Sequence, residues 1–230
     1  MWRVFIGPIL CLLLYAFNIT RGPAPLAASV LFSLFLLGAL FAKGKHATLC
    51  FILAGLMFLI LGFGLIPGFT RISLGGASIS SGKALAGFSA VAVFPSKWQW
   101  NQRCSLIAAA CLIGVPALAW HIGYVRWAPA TPHALVLFAV ANIFSTISEE
   151  WFFRNWVQQP LQRFGAVAAI VITAVLFGLV HFASGQTFMV LAAIAGLAYA
   201  GVYQASGGSV WSAVVLHWAL NVFRMALFGL

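Results

Sequence analysis

The chain is nearly devoid of negative charge: of its 230 residues only Glu149 and Glu150 are acidic, and charged residues of both signs make up 6%. A water-soluble domain of this length carries roughly a quarter of its residues charged, so that class is excluded. Cysteine is scarce as well, and none of the four (Cys11, Cys50, Cys104, Cys111) belongs to a C-x-x-C pair. Neither a disulfide framework nor a zinc ribbon fits that pattern. Lying within or beside apolar runs, the four read as reduced, buried thiols. The twelve Lys and Arg give a formal charge of +10. They stand singly or in pairs between apolar runs and form no stripe with interleaved aromatics, which excludes a nucleic-acid partner. Their expected work is to orient helices and to meet the anionic headgroups of a lipid bilayer.

What the chain does have is apolar length. Hydrophobic residues account for 63% of it, in runs near 3–19, 25–42, 47–66, 104–120, 133–153, 165–183, 187–204 and 209–229. Most of these approach the ~20 residues that cross a bilayer as a helix. The first run has no small-x-small cleavage site and reads as a membrane helix. The expected fold class is therefore all-α, a polytopic transmembrane helical bundle of about eight helices. Residues 84–94 supply a ninth if that short stretch crosses. No repeat or linker divides the chain, so 1–230 reads as a single domain with a motif-bearing core at about 133–230. Counting Lys and Arg in the loops allows the N-terminus on either side. With a crossing 84–94, Lys83 falls outside. Both arrangements put Arg154 and Arg163 on the cytoplasmic side.

The two acids lie side by side in "STISEEWFFRNW" (145–156). A carboxylate within a membrane helix costs about 2.5–3.5 kcal/mol and usually faces a polar cavity. Glu150 and Arg154 are at i and i+4, on one helical face, and are expected to pair. Glu149, turned by about 100°, remains for another task. Further polar residues punctuate the apolar runs. Asn142 and Thr146 precede the acids by two turns and one turn. His181 follows Phe177 at i+4, and His217 and Asn221 share a face of the last run. A polar stripe of that kind belongs inside the bundle rather than against lipid. Arg224 continues the His217 stripe and either snorkels or binds a substrate carboxylate or one of the glutamates. His46, His121 and His133 sit at run ends and read as non-catalytic.

These motifs, "EEWFFR", "FGLVH" and "HWALN", match E-E-x-x-x-R, F-x-x-x-H and H-x-x-x-N, in order and on separate hydrophobic segments. The chain thereby resembles the CPBP family of CAAX-type prenyl-protein endopeptidases and bacteriocin-processing enzymes, also called glutamic intramembrane proteases. The resemblance covers roughly residues 149–221. It implies a hydrolase in which Glu149 and His181 activate water while His217 and Asn221 bind the tetrahedral oxyanion; the family carries both metal and non-metal descriptions, and the favoured expectation is a glutamate mechanism without a cofactor. Glu150 with Arg154 would hold the glutamate helix. The chemistry agrees, since peptide hydrolysis needs a base for water and donors for the oxyanion.

Two other readings compete. Glu149, His181 and His217 make a His, His, Glu set of the kind that holds zinc in hydrolases, although no H-E-x-x-H is present. Alternatively, the cluster is a proton or ion path in a small transporter, or the chain is a membrane scaffold. A transporter would spread its acids along the path, whereas here they occupy one point. The favoured expectation is an intramembrane endopeptidase acting on a membrane-associated protein or peptide near the cytoplasmic face. Asn142 and Arg224 are candidate substrate contacts, and compactness points to a bacterial plasma membrane.

Overall fold

A computed structural model describes residues 2–74 and 76–229. After a short 3-10 turn at Trp2–Phe5 come α1 (Ile6–Ala16), α2 (Ala24–Phe41) and α3 (Gly44–Gly62). A hairpin of β1 (Arg71–Leu74) and β2 (Ala77–Ser80) then leads into α4 (Ser81–Val93). The rest is helical: α5 (Gln102–His121), α6 (Pro132–Phe152), the single turn α7 (Gln159–Leu161), α8 (Ala166–Leu179), α9 (Gln186–Ala205) and α10 (Val210–Phe228).

Among the described residues, six helical stretches are long and apolar enough to cross a membrane: α2, α3, α5, Pro132–Phe164, α9 and α10. The runs at 3–19 and 165–183 yield shorter helices, as does the stretch at 84–94. The first two each end at a specific turn. After α1 the chain reverses at Asn18, which has φ +56°. After α8 it leaves the helix for a 3-10 turn at Phe182–Ser184, and Gly185, at φ +95°, starts α9. The outward surface is strongly apolar, with Leu106 66%, Ile113 70% and Val167 76% exposed. In water such a surface would be an aggregation site; against lipid it carries no penalty. The protein is an integral membrane protein built from helices.

The hairpin is a small addition to the helical fold that the sequence reading did not single out. Its antiparallel register pairs Arg71 with Ser80, Ile72 with Ile79 and Ser73 with Ser78. The sequence signal is a Gly-Gly between two alternating segments, RISL and ASIS.

The chain forms two compact units, Met1–Pro95 with Ala141–Phe152, and Ser96–Val140 with Phe153–Leu230. In the first, α2 and α3 pack through Phe32 and Phe58, edge to face at 6.1 Å. Helix α4 lies against residues 141–152 at a very close approach: a Cβ on Gly87 would come within 2.2 Å of Ser148 Oγ. The Ser148 hydroxyl bonds the Lys83 and Phe144 carbonyls, both at 2.8 Å. Buried Trp151 donates Nε1–H to the Phe94 carbonyl at 3.0 Å, tying down the end of α4.

In the second unit, α8 and α9 come together at small residues. A Cβ on Gly178 would meet Ala193 Cβ and the Met189 carbonyl at 2.7 Å. Such close backbone approach is how apolar helices associate when no hydrophobic force separates protein from lipid. Helix α10 starts at Ser209, whose side chain caps the Ser212 N–H. The segment before α5 is stitched to that end through Ser96 Oγ, which accepts from the Val210 N–H at 2.9 Å.

Candidate active site

The two glutamates fall in the last turns of α6, in the first unit. Glu149 is half-buried and Glu150 fully buried. Lys83 Nζ makes an ion pair with Glu149 Oε1, a partner that the sequence reading did not assign. Lys83 Nζ also donates to Ser145 Oγ at 2.6 Å, and Ser145 Oγ donates to Glu149 Oε1 at 3.0 Å. Both contacts converge on Oε1 and fix the rotation of the carboxylate. With 24% and 18% of the two side chains exposed, the pair is shielded from bulk water on most sides.

Lys83 was the residue missed. An i, i+4 argument sees only one helix, whereas Lys83 lies 66 positions earlier in the chain. Ser145, four residues before Glu149, could have been found from helical spacing alone.

After Phe152 the α-helix gives way to a π-helical stretch, Phe153–Gln158, rather than continuing smoothly. Single π turns recur where a helix must present side chains for function. Arg154 is fully buried on this stretch, in the second unit. Its Nη1 donates to Gln158 Oε1, and Gln158 Nε2 donates to the Ala200 carbonyl of α9 at 3.0 Å. A guanidinium out of water needs acceptors, and Gln158 is one that the sequence reading did not single out.

Asn142 lies on α6, in the first unit. The Thr146 hydroxyl lies 3.0 Å from its carbonyl and 3.1 Å from its Oδ1.

The histidines belong to the second unit. His181 stands just past the end of α8, not on it as expected, and opens the 3-10 turn. Its Nδ1 is 2.7 Å from the Phe177 carbonyl. A carbonyl oxygen only accepts, so Nδ1 carries the proton, and Nε2 of the neutral ring holds the lone pair. This gives F-x-x-x-H a physical meaning: Phe177 sets the tautomer through its backbone. The Phe177 ring is also the hub around which both histidines gather, with ring centres 4.9 Å from His181 and 5.4 Å from His217. Phe153 at 4.9 Å and Tyr199 at 5.7 Å complete its surroundings.

His217, buried on α10, stacks on Tyr199 at 4.4 Å with the planes 15° apart. Asn221 lies one turn further along α10 and is half-buried. Arg224 is half-buried on the same helix, close enough to Tyr124 for an electrostatic interaction. His46, His121 and His133 are exposed at helix ends. For the zinc alternative, no group of three or more His, Cys, Asp or Glu among the described residues could hold a metal ion.

Residues 131–223 match the family model described as type II CAAX prenyl endopeptidase Rce1-like. The resemblance read from the three motifs therefore holds over that segment, which contains all of them. No curated protein and no solved structure matches the chain.

Proposed function

We propose that the protein is an intramembrane endopeptidase that hydrolyses a peptide bond of a membrane-associated protein or peptide with water activated by Glu149 and His181. The family match implies a CAAX-type protease, and the apolar helices place it in a bilayer. The observation that carries the reading is that all three motifs fall, in order, inside the matched segment.

In this mechanism the Glu149 carboxylate takes a proton from water as the oxygen attacks the scissile carbonyl carbon. Nε2 of His181 accepts a hydrogen bond from the same water, which the Nδ1–H bond to Phe177 makes possible. The carbonyl π electrons move to oxygen, and His217 and Asn221 donate to that oxyanion. Collapse breaks the C–N bond, and the proton held by Glu149 passes to the departing nitrogen. Lys83 and Ser145 keep the carboxylate in one rotamer throughout. Glu150 and Arg154 are the structural members of their motif. No metal takes part in this reading, and the membrane is expected to be a bacterial plasma membrane.

The test is cleavage of candidate membrane peptides by purified protein in detergent, read by mass spectrometry, with and without a strong chelator. Chelator-insensitive cleavage that His181→Ala lowers by at least about a hundredfold is the expected result. Cleavage abolished by chelator and restored by zinc would replace the glutamate mechanism with a zinc one.

A further inference from the structure

Within the first unit a cavity of about 320 Å³ opens beside the Glu149 cluster, a volume that holds small ligands. It lies where helix ends gather. Phe63, just past the end of α3, and Lys83, in the first turn of α4, both line it. The turn between α1 and α2 reaches the same end of the unit, where the Arg21 N–H donates to the Gly68 carbonyl at 2.8 Å. Helices α2 and α3 are long enough to span a bilayer, so these ends stand at the level of the lipid headgroups. Phe17, Phe63 and Leu65, beyond the ends of α1 and α3, are exposed there.

The cavity is equipped for an anion. The hairpin register puts Arg71, Ser78 and Ser80 on one face, with Arg71 directly opposite Ser80, and all three line the cavity. Neither of the chain's two carboxylates is among the lining residues, while two cations are. The two cations differ in what balances them. Lys83 is paired with Glu149, whereas the Arg71 guanidinium makes no ion pair among the described residues. One positive charge is left over, which is what a phosphodiester monoanion neutralises. Lys83 Nζ has three N–H donors, of which Ser145 and Glu149 take two. The third, the Ser78 and Ser80 hydroxyls and the planar Arg71 fork can share the oxygens of one phosphate. The positive end of the α4 dipole, at Ser81, adds to the same field.

From this geometry we infer that the cavity binds the phosphate of an anionic phospholipid headgroup, held by Arg71, Lys83, Ser78 and Ser80. A phosphate ester in solution offers the same oxygens. The lipid is favoured because the cavity lies at headgroup depth, beside exposed apolar side chains that acyl chains can cover. A headgroup with an uncharged alcohol is favoured over phosphatidylcholine, whose ammonium would meet two cations. The ligand is not the molecule cleaved, and the inference does not rest on the proposed reaction.

The test reads binding without turnover. Full-length protein in a neutral detergent is titrated with dioleoyl phosphatidylglycerol or dioleoyl phosphatidylcholine, and bound lipid is counted by native mass spectrometry. One phosphatidylglycerol molecule should bind the wild type about tenfold more tightly than phosphatidylcholine does. Arg71→Gln should reduce that preference to about twofold or less. Arg71 is exposed on the hairpin, so the variant should keep the wild-type melting temperature. Lys45→Gln makes the same change of charge at the exposed start of α3 and should leave the preference intact. Equal binding of the two lipids would overturn the inference, and so would a preference that survives Arg71→Gln. A fall as large in Lys45→Gln would reduce the effect to overall charge and also overturn it. Glycerol 3-phosphate binding as tightly as phosphatidylglycerol would make the cavity a site for soluble phosphate esters and overturn the lipid assignment.

Discussion

At the scale of the residue, the two acids have different surroundings. Glu150 is fully buried, whereas Glu149 is half-buried and tied to Lys83 and Ser145. A base positioned by a cation should suffer when the cation is removed. Lys83→Met is predicted to lower kcat by about tenfold or more, the loss of one charge-assisted hydrogen bond. Lys83→Arg should restore part of that rate, because it keeps the charge and a donor. A melting temperature similar in both variants would show that the effect is on positioning and not on folding. The motif residues were legible in the sequence because each is a polar exception on an apolar background. Lys83 was not legible, since a single lysine at a run edge looks the same whether it faces a headgroup or a buried carboxylate. Nor could spacing reveal that His181 lies beyond its helix, where the Phe177 carbonyl decides which nitrogen carries the proton.

At the scale of the element, close helix approach sets side-chain positions. Helix α4 meets residues 141–152 at Gly87, and its first turn carries Lys83 to Glu149. Gly87→Val places atoms where Ser148 already lies. It should cost about 1–3 kcal/mol of overpacking and reduce kcat through the displaced Lys83. Thermal unfolding and steady-state kinetics check the two effects on the same samples. Around the histidines, Phe177 is packed on several sides by rings. Phe177→Ala should lower stability by about 3–5 kcal/mol and activity with it, while Phe177→Leu should cost less in stability. The long helices were readable from apolar run length. The shortness of α4 was readable in the same way, but that of α1 and α8 was not, because run length counts residues that belong to the turns after them. The hairpin left a readable trace in its Gly-Gly and alternation, although a polar four-residue strand is easily overlooked beside membrane runs.

At the scale of the whole molecule, the scarcity of acids and the exposed apolar surface have one cause: most of the protein's solvent is lipid. Ile113, 70% exposed on α5, is predicted to reject charge. Ile113→Asp should impair membrane integration by about 2.5–3.5 kcal/mol on the helix-centre scale. Alkaline extraction of membranes would read this as a shift of protein into the soluble or degraded fraction. Composition alone made this class legible. How the chain divides into two compact units was not, because residues 141–152 cluster with the first ninety-five residues and not with their neighbours in sequence. Such long-range grouping leaves no mark in local periodicity.

The central claim is that Glu149 does the chemistry while Glu150 supports the fold. It is tested most directly by comparing Glu149→Gln and Glu150→Gln on one cleavable membrane peptide, with melting temperatures measured alongside. The account predicts that Glu149→Gln melts near the wild type yet loses at least about a hundredfold in kcat. Glu150→Gln should instead melt lower, its activity falling only as its folded fraction falls. Cleavage by well-folded Glu149→Gln at the wild-type rate would contradict the account.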